Sequence, residues 1–169
     1  MFGVNKGKLS SRTNIAFFVD GPNIIRKEFN LDLDDLRKTA QKYGRITIGK
    51  VFLNQHASEK LIEAIANQGF EPSVVLCGEA EADVDVAMAV AIVEASYNKD
   101  IDIIVVVTRD ADYLPALQVA KRFNKKIVVM GTEHGFSKAL QHIADFVEIL
   151  PVKNAPPKRP FRQNMETNI

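Results

Sequence analysis

Every residue from Ile103 to Val107 is apolar and β-branched. A run with no polar alternation has no face to show to water. It marks a central strand of a parallel sheet covered on both sides. Five such short apolar runs recur along the chain: Ile15–Val19, Ile46–Leu53, Ser73–Cys77, Asp102–Val107 and Lys126–Met130. Helix-length segments separate them. Leu33–Tyr43 and Ser58–Gln68 carry apolar residues at helical spacing and end at Gly44 and Gly69, as glycine C′ residues would. Asp85–Tyr97 and Asp112–Phe123 read the same way, followed by a short helix near Ser137–Ile143 and a last strand over Phe146–Ile149. Alternation of strand and helix predicts a doubly wound α/β fold.

The chain has 169 residues, 46% of them apolar, which suits one domain with tails. The domain is expected over 14–150, between an N-terminal basic arm (1–13) and a basic, disordered tail (151–169) with four prolines. No apolar stretch approaches the ~18 residues of a membrane span. Met1 to Asn14 has no apolar core of the kind a signal peptide needs. Cys77 is the only cysteine, which excludes an internal disulfide and a thiolate zinc cluster and suggests a reducing cytoplasm.

The net charge of +1 hides an asymmetry. Lys6, Lys8 and Arg12 precede the domain, and Lys153, Lys158, Arg159 and Arg162 follow it with Glu166. Removing these from 22 basic and 21 acidic residues leaves 15 basic and 20 acidic in 13–150, a net of −5. An acidic body with basic ends suits a metal site flanked by anion-binding arms. Solvation of the termini explains the same charges.

The aspartates carry the chemistry. Asp20 closes the first apolar run, and Asp110 and Asp112 follow the fourth. Asp83 and Asp85 open a long helical stretch. If the runs are parallel strands, Asp20 and Asp110 lie on the edge where open α/β sheets place their sites. Each helix-proximal aspartate can serve simply as a cap. Caps do not explain Asp20, or why each motif has two acids. Two carboxylates about 5 Å apart at an effective dielectric near 20 repel by about 3 kcal/mol. A hard divalent cation relieves that repulsion and brings phosphate chemistry with it.

Other residues on this edge read two ways. Asn23 can orient water or phosphate, or serve as the polar group of a Gly-Pro turn. Arg109 can contact phosphate or pair with Asp110 or Asp112. Ser137 and His134 lie on the same edge, as a helix cap and a solvated loop residue. No Gly-x-Ser-x-Gly elbow, Gly-x-Gly-x-x-Gly loop or Walker loop is present. A receiver-like domain would end its third strand on a phosphorylatable Asp, where this chain has Cys77-Gly78.

Four ordered motifs resemble the NYN family of PIN-like nucleases, in its LabA-like branch. They are Phe18-Val19-Asp20-Gly21-Pro22-Asn23, Val84-Asp85-Val86-Ala87-Met88, Thr108-Arg109-Asp110-Ala111-Asp112-Tyr113-Leu114-Pro115, and Ser137-Lys138-Ala139-Leu140 through Ala144-Asp145-Phe146. The resemblance spans about residues 14–150. It implies a PIN-like (Rossmannoid) three-layer sandwich with a mostly parallel sheet of five or six strands, ordered 3-2-1-4-5. It also implies a metal-dependent nuclease acting on RNA. The candidate cofactor is magnesium or manganese, and the candidate partners are single-stranded or structured RNA and a second copy in a homodimer. Carried over, Asp20, Asp85, Asp110 and Asp112 form the acidic metal site, with Asn23 as a polar helper. Two departures stand out. Ala82-Asp83 replaces a common Lys-Gly, so Asp83 is a further candidate ligand. Thr108-Arg109 replaces a usual Ser-Gly: Thr108 keeps the hydroxyl, and Arg109 narrows the mouth. Thr108, Arg109 and Ser137 are the candidate substrate-binding residues. A non-catalytic RNA- or protein-binding module on the same fold is the competing expectation.

Overall fold

A computed structural model describes residues 13–26, 31–76 and 82–152. The basic arm expected at 1–13, apart from Thr13, and the tail beyond Val152 lie outside the described residues. So does Cys77.

Among the described residues, six strands form one sheet: β1 Asn14–Asp20, β2 Arg45–Asn54, β3 Glu71–Val75, β4 Ile103–Val107, β5 Lys126–Thr132 and β6 Phe146–Leu150. Their order is β3-β2-β1-β4-β5-β6, and every neighbouring pair is parallel. The order expected from the resemblance holds for the first five strands, and β6 extends it. The helices are α1 Gly21–Ile24, α2 Leu33–Gln41, α3 Glu59–Asn67, α4 Ala82–Tyr97, α5 Leu114–Arg122 and α6 Lys138–Ile143. Among the described residues, no helix is long and apolar enough to cross a membrane.

The uniform burial of β4 has the expected cause. Successive side chains point to opposite faces of a strand. Ile104 and Val106 join one buried cluster with Phe18, Met88, Ile92 and Leu117. Ile103, Val105 and Val107 join another with Phe17, Val19, Leu36 and Ile65. The sheet is thus the middle of three layers, with α2 and α3 on one side and α4 and α5 on the other.

Helix boundaries follow their caps. Ser58 accepts the Leu61 N–H at 3.2 Å and starts α3, and Gly69 beyond its end takes φ +82°. Asp32 caps α2. Two boundaries depart from the sequence reading. α4 begins at Ala82, so Asp83 and Asp85 both sit in its first turn, where the helix dipole favours acids. The segment after β4 opens with a 3-10 turn, Ala111–Tyr113, before α5. Pro115 stands in the first turn of α5, where its missing N–H costs nothing.

The chain runs β1, β2, β3 outward in one direction, then returns to place β4 on the other side of β1. The C-terminal ends of β1 and β4 are therefore the point where the sheet's order reverses. A crevice opens there by topology.

Candidate metal centre

Asp20 is the last residue of β1, and Val19 is in register with Val107. Asp20 therefore stands beside Thr108, still inside the sheet layer. By the alternation of β1, it shares the face of Ala16 and Phe18, toward α4. Its carboxylate is almost wholly buried, 2% exposed. Thr108 Oγ1 donates to Asp20 Oδ2 at 3.1 Å, Tyr113 Oη reaches the same oxygen at 3.1 Å, and the Asn23 N–H reaches Oδ1 at 3.3 Å. Burial pushes its pKa up to about 6, and the charge of Asp85 adds to the rise, while these hydrogen bonds oppose it.

Gly21 follows immediately and packs against the main chain of Phe52, with its Cβ position blocked by the Phe52 carbonyl. Only glycine lets the chain turn into α1 so close to β2. That turn sets Asn23 on the crevice wall.

Asp110 lies beyond the end of β4. Its N–H bonds to Thr108 Oγ1 at 3.2 Å, and its carboxylate accepts the Asp112 N–H at 3.0 Å, capping the 3-10 turn. Asp110 is thus a cap, as one reading of the sequence has it, and it also faces the crevice. Asp85, Asp110 and Asp112 each bring a carboxylate oxygen within 4.8 Å of the others. Asp20 does not belong to that group, nor does the exposed Asp83. Asp20 lines the same cleft, of about 160 Å³, with Asn23, Arg26, Asp85 and Asp110.

The expected substrate-binding residues Thr108, Arg109 and Ser137 are not among those lining the cleft; each is spent on bonds that hold the surrounding loops. Thr108 is fully buried, with its hydroxyl between Asp20 and the Asp110 N–H. Arg109 ties loops together. Its main-chain N–H and Nε bond to Asn23 Oδ1 at 3.1 and 3.3 Å, one terminal nitrogen bonds to Asn23 O at 3.2 Å, and the other to His134 O at 2.8 Å. Ser137 caps α6 by accepting the Leu140 N–H at 3.3 Å.

Two residues without an expected role stand at the site. Arg26, one turn after Asn23, brings a cation to the cleft wall. Tyr113 is fully buried, with its hydroxyl between Asp20 and Asp85. The sequence held a signal for Tyr113: a phenol directly after an Asp-Ala-Asp motif and just before the apolar Leu114-Pro115-Ala116-Leu117. Burial and the charges of Asp20 and Asp85 drive its pKa far above the ordinary phenol value.

The donor set tests what the group could hold. It consists of carboxylates alone, with no imidazole or thiolate among the described members. Oxygen donors of this charge suit a hard cation such as magnesium or manganese rather than zinc or copper.

The profile of the NYN domain family matches residues 14–150. An uncharacterized protein of Methanocaldococcus jannaschii is 54% identical over 140 residues, which is 83% of this chain and 56% of that protein. The chain therefore spans little more than half the length of this relative. A protein of unknown function from Vibrio parahaemolyticus has the same fold, with a TM-score of 0.73, 21% identity, and coverage of 89% of this chain and 96% of the other.

Proposed function

The chain belongs to the NYN domain family, and from that premise we propose that it is a magnesium- or manganese-dependent nuclease that hydrolyses phosphodiester bonds in RNA. Its four motifs favour the LabA-like branch. The observation that carries the reading is the meeting of Asp85, Asp110 and Asp112 within 4.8 Å at the reversal point of the sheet. We assign ligation to these three and a supporting place behind them to Asp20. A divalent cation held there would offset their repulsion and supply the Lewis acidity that polarises a phosphoryl oxygen and lowers the pKa of water.

The chain's own residues do the rest. Thr108, Asn23 and Arg109 hold the two strand ends and the His134 loop in fixed relation. Arg26 donates its Nε to Pro22 O at 3.1 Å, which leaves two terminal nitrogens for phosphate oxygens. The body between the tails is acidic, so RNA needs such cations to approach it. The basic ends of the sequence supply more. The single cysteine fits work in the cytoplasm.

The test is cleavage of mixed RNA and DNA pools by wild type and Asp110→Asn, in magnesium, manganese or chelator. We expect RNA cleavage only by wild type and only with metal. Binding of RNA without cleavage in either metal would make the chain a non-catalytic RNA-binding module. Cleavage that persists in chelator would refute metal dependence.

A further inference from the structure

We propose that Tyr113 is a positioning residue of the carboxylate site, holding Asp85 where its oxygen meets those of Asp110 and Asp112. The inference rests on the reading that these three carboxylates hold a divalent cation.

The first observation is the hydroxyl itself. Tyr113 is 0% exposed, and its Oη lies 2.9 Å from Asp85 Oδ1 and 3.1 Å from Asp20 Oδ2. The phenol has one proton to donate, and its shorter contact is to Asp85; donation to a charged carboxylate is the stronger kind of hydrogen bond. The second observation is where Tyr113 sits. It closes the 3-10 turn that Asp110 caps and that contains Asp112. Asp85 belongs to α4, a separate element on the helical layer. The Tyr113 hydroxyl is therefore a link by which the turn carrying two members of the group holds the third. The third observation is the anchor on the far side. Asp20 is itself fastened by the Thr108 hydroxyl and the Asn23 N–H. The phenol thus reaches from a fixed carboxylate to the member of the group carried by α4.

Phenylalanine at this position keeps the ring and its packing but removes the donor. Asp85 and Asp20 would then face each other with no donor between them. Asp85 is the less buried of the two, so its carboxylate has the more room to turn.

The experiment measures manganese affinity by loss of the free-ion paramagnetic resonance signal, on the full chain at one pH. It compares wild type, Tyr113→Phe and Ile92→Val, the last a buried apolar residue of the same core. Loss of a group that orients a metal ligand typically weakens affinity about 10- to 100-fold, and we expect Tyr113→Phe in that range. Ile92→Val should lower the melting temperature and leave affinity unchanged. Wild-type affinity in Tyr113→Phe, or an equal loss in Ile92→Val, would overturn the proposal. Absence of any manganese binding by wild type would defeat the reading of the site and this inference with it. A wild-type crystal soaked in manganese gives a measurement that no variant's folding can spoil. Asp85 should ligate while staying within hydrogen-bond distance of the Tyr113 hydroxyl. Ligation by an Asp85 that has left Tyr113 would overturn the proposal.

Discussion

Arg109 and Asn23 are joined by three hydrogen bonds across the reversal point of the sheet, two to the side-chain oxygen of Asn23 and one to its carbonyl. The end of β4 is thereby fixed to the turn that follows β1. Both residues carry an expectation of substrate contact, and both spend polar groups on each other. Asn23→Ala removes the acceptor of two of those bonds and should destabilise the fold by about 1–3 kcal/mol. Urea denaturation of the metal-free protein measures this. Stability within a few tenths of wild type would show that the link is idle.

Asp110→Asn separates capping from charge. Asn caps a helical turn about as well as Asp, so the metal-free variant should be as stable as wild type or more so, because one repulsion is relieved. Manganese affinity should fall sharply. Thermal melts with and without metal check both statements. A metal-induced rise in melting temperature equal to that of wild type would remove Asp110 from the site.

The raised pKa of Asp20 makes a signed prediction about pH. Its folded value, about 6, lies above the ordinary carboxylate value of 3.8. The folded state therefore holds this proton where the unfolded chain has released it. That contribution favours folding at low pH and is lost as pH rises from about 4 to about 6, then stays level. The span corresponds to roughly 3 kcal/mol. Denaturation of metal-free wild type and Asp20→Asn at intervals from pH 4 to 7 isolates it. The difference in stability between the two should shift toward Asn as pH rises; a difference independent of pH would contradict the burial argument.

Arg26→Gln tests the cation on the cleft wall. If Arg26 meets phosphate, RNA affinity should fall, and the slope of log affinity against log salt should flatten by about 0.7, the value for one contact to a single strand. Manganese affinity should not change. Filter binding across a salt series reads the slope, and an unchanged slope would remove Arg26 from the RNA path.

Gly21→Ala places a methyl group against the Phe52 carbonyl, which is main chain and cannot swing aside. The cost of such overpacking is about 1–3 kcal/mol. A melting temperature equal to wild type would show that the β1–α1 turn has slack.

Much of this site was legible before the fold was known, and the reason is local. Asp20, Asp110 and Asp112 follow strands, and strand ends on one edge can be read from parallel alternation alone. Asp85 was named as a candidate ligand by the motif resemblance and by its place at a helix start, not by a strand end. Its place at the site depends on how α4 packs across β1 and β4, and no spacing in the sequence encodes that distance. Arg26 was missed because a single arginine after a short turn has no periodic signature.

The sequence by itself determined the layers. The unbroken β-branched run of β4 and the helical spacing between strands leave few arrangements besides a covered parallel sheet, because these patterns act through nearest neighbours along one element. Tertiary structure decided which carboxylates meet. Asp20 lies inside the sheet layer, in line with Thr108, whereas Asp110 lies two residues beyond Thr108, past the strand end. At about 3.3 Å per residue along a strand, that offset separates a buried, hydrogen-bonded acid from one that faces the cleft. Register between strands and the packing of α4 set this depth, and both arise only when distant segments come together.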